Sequence, residues 1–73
     1  MKKIKCAIVG CGRISKRHIE VLQSLPDAEI CAVCDIITER ASFAGVKYGL
    51  PAYTDYNEML LKHPDIDVVN ILV

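Results

Sequence analysis

A short, mainly apolar run from Ile4 to Val9 stops on Gly10-Cys11-Gly12, and at once a stretch begins whose apolar positions recur three or four residues apart. That junction constrains the chain more than any other feature. Two glycines one residue apart, at the point where extended backbone gives way to helix, make a turn too close for side chains. Lacking strict polar alternation, Ile4 to Val9 is expected to be a strand buried on both faces, as in a parallel sheet. From Arg13 to Leu25 the positions Ile14, His18, Leu22 and Leu25, flanked by Ile19, form one inward stripe of a helix that Pro26-Asp27 ends.

The same alternation continues to the end of the chain. A second strand is expected over Glu29 to Cys34, closing at Asp35. Thr38 is the expected N-cap of a helix from Glu39 to Tyr48, with Gly49 in the left-handed capping position and Pro51 beyond. A brief third strand lies near Ala52-Tyr53. Asp55 followed by Glu58 resembles a capping box and opens a short helix through Lys62, with Met59 and Leu60 inward and His63-Pro64-Asp65 as its break. Asp67 to Val73 is the fourth strand. Strands and helices in strict turn predict an α/β fold, a partial doubly wound (Rossmann) parallel sheet, and right-handed crossovers set its strand order as 3-2-1-4. An apolar strand running into the last residue leaves a bare sheet edge, so the chain is expected to be a fragment of a longer protein.

Placed between strand and helix, Gly10-Cys11-Gly12-Arg13-Ile14-Ser15 has the pattern of a dinucleotide-binding turn. Gly10 permits the bend. Gly12 lets the backbone approach a pyrophosphate, whose charge meets the free N–H groups of Arg13 and Ile14 where the helix starts. Ser15 replaces the usual third glycine and need only keep helix and strand close. The pattern calls for a carboxylate about twenty residues further on, and Asp35 stands at the tip of the second strand. There it can accept hydrogen bonds from ribose hydroxyls and repel the 2′-phosphate of NADP, so NAD is the expected cofactor; alternatively it caps its own loop, residues 35–38. Ile36 offers an apolar wall to adenine. Arg40, in the first turn of the next helix, either stacks on adenine, reaches a 2′-phosphate or is simply solvated. Cys11 lies in the turn and touches cofactor as filler.

Nine basic and nine acidic side chains cancel, which leaves no whole-chain electrostatic footprint for nucleic acid or an anionic membrane. No apolar stretch approaches the roughly 20 residues of a membrane span, and the basic start is followed by too short an apolar run for a signal peptide. A cytoplasmic protein with reduced thiols is expected. Cys31 and Cys34 match C-x-x-C, but three residues apart on a strand they face opposite ways, and no second pair completes a metal site. His18 reads as a packing residue and His63 as a solvated one. No Gly-Lys-Ser/Thr follows the turn, which excludes a P-loop, and Ile8-Val9 stand where a methyltransferase usually carries an acidic residue.

Several segments together resemble the Gfo/Idh/MocA oxidoreductase family: Ala7-Ile8-Val9-Gly10-Cys11-Gly12-Arg13-Ile14 with His18, Val33-Cys34-Asp35, Lys47-Tyr48-Gly49-Leu50-Pro51, Tyr53-Thr54-Asp55-Tyr56 and Asp65-Ile66-Asp67-Val68-Val69. The resemblance runs end to end. It implies that residues 1–73 are the N-terminal part of a dinucleotide-binding domain, from an enzyme that moves hydride between NAD(P) and a hydroxyl of a sugar, cyclitol or related compound. It also implies cofactor contacts at Gly10, Gly12, Arg13, Ile14 and Asp35, with Leu72-Val73 bordering the cleft. The family's catalytic lysine motif and substrate domain have no counterpart among these residues, so no catalytic residue is expected here. A homo-oligomer is expected, through the missing domain or the exposed fourth-strand edge. The competing expectation is a stand-alone NAD-sensing or interaction module.

Overall fold

A computed structural model describes residues 3–12 and 15–72. In chain order the elements are β1 (Ile4–Val9), α1 (Ser15–Ser24), β2 (Ala28–Cys34), α2 (Thr38–Tyr48), β3 (Ala52–Tyr53), α3 (Tyr56–Lys62) and β4 (Val68–Ile71). The strands are parallel and lie in the order β3-β2-β1-β4, the order expected of right-handed crossovers.

Each face of the sheet carries its own apolar layer. On one face Ile8, Ile30 and Val33 pack with Ile19 of α1 and Ala44 of α2; on the other, Ala7, Ala32 and Cys34 pack under Met59 of α3. Neighbours on β1 therefore serve opposite layers, which is why the strand is apolar without alternation.

Three local expectations need correction. The buried stripe of α1 runs through Ser15 and Ile19, with Leu22 half-buried, whereas His18 is exposed and Leu25 is 47% exposed. The inward face is set by Ser15 and Ile19, four residues apart, which leaves His18 in solvent. Thr38 is already helical, and the N-cap is Ile37, which has no side-chain cap. Asp35 instead ties down the loop just ahead of the helix: its Oδ1 accepts the N–H of the N-cap residue Ile37 at 2.8 Å. In β2 the register slips, Cys6 pairing with Ile30 but Ala7 with Ala32, so Cys31 is an extra, bulged residue. The bulge puts Ile30 and Val33 in the same layer, and the simple alternation used to separate Cys31 from Cys34 does not hold there. Both are free thiols, Cys31 half-buried and Cys34 buried.

Other signals are met. Gly49 adopts φ 66°, its N–H donating to the Gly45 carbonyl, and Asp55 caps α3 by accepting the Asn57 N–H at 2.9 Å. The start of β1 is tied to the loop before β4 by the Lys5–Asp65 ion pair and by the Lys5 N–H donated to Asp67 Oδ2 at 2.9 Å. Hydrogen bonding to Asp65 is the main reason the Lys5 ammonium is held above its usual range, and the same bond holds Asp65 below its own. Both groups are exposed, so this pairing contributes little to stability. Among the described residues no helix is long and apolar enough to cross a membrane.

Candidate functional site

At the carboxyl ends of the strands lies a cleft of about 550 Å³, lined by Val9, Gly10, Gly12, Ser15, Cys34, Asp35, Ile36, Ile37, Arg40, Thr54, Tyr56 and Leu72. That size suits a small molecule, and that position, beside the point where strand order reverses between β1 and β4, is where open α/β sheets bind ligands.

The two glycines of the turn have different reasons to be glycine. Gly10 sits at φ 99°, and a Cβ there would lie 2.1 Å from the Leu72 carbonyl oxygen. The fold itself forbids a side chain, because β4 passes directly against the turn. Gly12 has no positive φ, and a Cβ on it would meet only Arg40 Nη1 at 3.7 Å, an ordinary contact. Among the described residues no contact requires Gly12 to be bare. The space in front of it opens into the cleft, so its backbone is left approachable from the solvent side.

Two hydrogen bonds hold this turn in place. Ser15 Oγ donates to the Gly12 carbonyl at 2.6 Å from a nearly buried position, so the third position of the motif is a clamp as well as a spacer. The Cys11 N–H donates to Asp35 Oδ2 at 2.8 Å. Since the other oxygen of Asp35 accepts from Ile37, one carboxylate joins the turn after β1 to the loop after β2. Asp35 is 7% exposed. Each carboxylate oxygen has a second lone-pair direction that no hydrogen bond among the described residues uses. The two alternatives raised for Asp35 are thus not exclusive.

Of the other candidates, Ile36 is 88% exposed at the lip of the cleft. Arg40 is exposed and reaches back across Gly12, lining both the main cleft and a second groove of about 450 Å³ with Cys11, Lys16 and Lys47. Leu72 contributes the carbonyl that crowds Gly10, and its N–H donates to Val9 at 2.8 Å. Cys11 turns its thiol away from the main cleft, toward the Cys34 carbonyl at 3.5 Å. Burial, then the charge of Asp35, pushes that thiol up to about 11, so it stays protonated and unreactive. Arg13, Ile14 and Val73 lie outside the described residues.

Thr54 and Tyr56 also line the cleft; both lie in the Tyr53-Thr54-Asp55-Tyr56 segment of the family resemblance, but neither is among the expected site residues. They reach it because β3 pairs with β2 and sets the start of α3 beside Asp35, whose N–H donates to the Tyr53 carbonyl at 3.0 Å. His63, expected to be solvated, is half-buried with Nε2 2.9 Å from the Tyr53 hydroxyl. Among the described residues no group of three or more His, Cys, Asp or Glu could hold a metal ion.

Comparison with known proteins bears on this geometry. The profile of an oxidoreductase family with an NAD-binding Rossmann fold matches residues 4–73. The inositol 2-dehydrogenase of Salmonella typhimurium is 39% identical over 71 residues, which cover 93% of this chain and 21% of the relative. D-apiose dehydrogenase of Paraburkholderia graminis is 32% identical over 71 residues, covering 97% of this chain and 19% of the relative. Among solved structures, the WlbA dehydrogenase from Bordetella pertussis in complex with NADH and UDP-GlcNAcA matches with a TM-score of 0.89 at 32% identity, covering 99% of this chain and 22% of that one. The chain spans about a fifth of the length of the relatives it matches.

Proposed function

This chain belongs to the Gfo/Idh/MocA oxidoreductase family, matched over its NAD-binding Rossmann fold, and on that premise we propose that the cleft at the strand ends holds the adenosine-diphosphate half of NAD. The observation that carries the proposal is Gly12: it is bare where no contact among the described residues needs it to be, and it lines the cleft. The pyrophosphate rests against the backbone of residues 10–14, including the amides of Arg13 and Ile14. The ribose hydroxyls donate to the free lone pairs of Asp35, adenine lies along Ile36 under Arg40, and Leu72 closes the side toward β4. When bound, NAD supplies the hydride acceptor.

In the longer protein this reading places residues 1–73 as the first half of the cofactor domain, serving oxidation or reduction of a sugar or cyclitol hydroxyl. Support comes from the relatives, named as inositol and apiose dehydrogenases. The outer edge of β4, with Val68 and Ile71 exposed, is the edge through which a homo-oligomer or a further strand adds. Four free thiols fit a reducing, cytoplasmic setting.

Cofactor choice follows from charge. Asp35 disfavours a 2′-phosphate, and Arg40 only partly offsets it. Titration calorimetry with NAD and NADP should give tighter binding of NAD, and Asp35→Asn should narrow the ratio of the two affinities by about tenfold. The substitution also weakens a carboxylate that accepts two backbone N–H groups, at about 1–3 kcal/mol of stability, but a ratio of affinities cancels the loss of folded protein. An unchanged ratio would contradict the role given to Asp35.

A further inference from the structure

Between α1 and α2 runs the second groove, of about 450 Å³, and its charged lining is all of one sign: Lys16 on α1, and Arg40 and Lys47 on α2. The whole chain is neutral, so this is a local concentration of positive charge and not a share of a general excess. Among the described residues the one ion pair joins Lys5 to Asp65, and no carboxylate there neutralises the three. The wall beside them is aromatic. Lys47 Nζ lies 5.7 Å from the centre of the Phe43 ring and 5.4 Å from that of Tyr48, so cation–π attraction holds the ammonium against the groove. Phe43 is 67% exposed, and Val46, one turn on along the same helix, is 85% exposed.

An apolar strip beside unneutralised cations is the complement of a chain that alternates carboxylates with apolar side chains. A polyanion such as single-stranded nucleic acid matches the charge but leaves Val46 bare, and a neutral chain has no wider basic field to guide one. We propose that the groove between α1 and α2 is a docking site for an acidic segment of a partner protein. Its carboxylates meet Lys16, Arg40 and Lys47, and its apolar side chains lie on Phe43 and Val46. The proposal goes beyond the dinucleotide reading and does not depend on it: Asp35, Ile36 and Leu72 line the cleft but not this groove, and the two share Gly12, Ser15 and Arg40.

The test is an NMR titration of the isotope-labelled chain with a short synthetic peptide that alternates Glu with Leu. The Lys16, Phe43, Val46 and Lys47 amide signals should shift, those of Gly10 and Asp35 should not, and added salt should weaken the binding. Peptides with Lys in place of Glu, or Ser in place of Leu, should bind on the order of tenfold more weakly. Phe43→Ser and Lys47→Glu, both at exposed positions, should each cost a similar factor. Absence of shifts at the groove overturns the proposal, as does a Glu-Leu peptide bound no better than its Lys counterpart, or unchanged affinity in both variants. Tighter binding of single-stranded oligothymidylate overturns it in favour of nucleic acid. Shifts of the same signals when the chain alone is concentrated overturn it in favour of a second copy. The titrations of the parent chain need no variant, so they decide even where a variant fails to fold.

Discussion

Single residues in this chain carry two duties at once, and Asp35 is the clearest case. Its two oxygens anchor Cys11 and Ile37, which fixes the distance between the glycine turn and the β2 loop before any ligand arrives. A site preorganised in this way loses less entropy on binding. The same carboxylate also acts on Cys11. With burial as the larger cause and Asp35 second, the thiol is raised from 9.0 to about 11. Through that interval the folded protein keeps a proton that the unfolded chain gives up, so the contribution is complete below about pH 9 and is lost as the pH climbs through 11. Melting curves from about pH 8 to about pH 11 should therefore fall less steeply for Cys11→Ala than for the parent. Parallel slopes would mean that the thiol is not held protonated. His18 and His63 show where residue-level reading ran out. A histidine is as easily placed on either side of an amphipathic boundary, and the Tyr53 partner of His63 is supplied by β3, which local sequence does not bring near.

Elements were legible where their ends are chemically marked. β1 is bounded by glycines, α2 ends at a glycine that takes the left-handed conformation, and α3 begins at an aspartate that caps it. The start of α2 falls one residue earlier than expected because its N-cap, Ile37, carries no side-chain acceptor to mark it, and the β2 bulge at Cys31 leaves no compositional trace. Gly45 is the element-scale residue that reading by motif missed, although a glycine inside a helical pattern is itself a packing signal. A Cβ there would lie 2.9 Å from both the Ala52 Cβ and the Leu50 carbonyl oxygen, so α2 rests on β3 through a bare position. In an exposed helix Gly→Ala stabilises by about 1 kcal/mol. Here the backbone oxygen has nowhere to retreat, and overpacking costs about 1–3 kcal/mol. Gly45→Ala should thus lower the melting temperature by about 5 °C or more; a rise would show that α2 stands further from β3 than this packing requires.

At the scale of the whole molecule, the sheet order brings the ends of all four strands to one cleft, and this was readable from the alternation of elements alone. The composition of that cleft was only half readable. Gly10, Gly12 and Asp35 follow a spacing that chemistry demands, whereas Thr54 and Tyr56 arrive through β2–β3 pairing, a consequence of tertiary structure. The chain spans about a fifth of the length of the relatives. The two glycines differ in what holds them bare: Gly10 is demanded by the Leu72 carbonyl, Gly12 by no contact among the described residues. The most direct measurement is the NAD affinity of Gly12→Ala set beside its melting temperature. An unaltered melting temperature with affinity reduced about tenfold or more, the worth of one charge-assisted hydrogen bond to the pyrophosphate, is the predicted result, and a variant that melts like the parent and still binds NAD as tightly would contradict it.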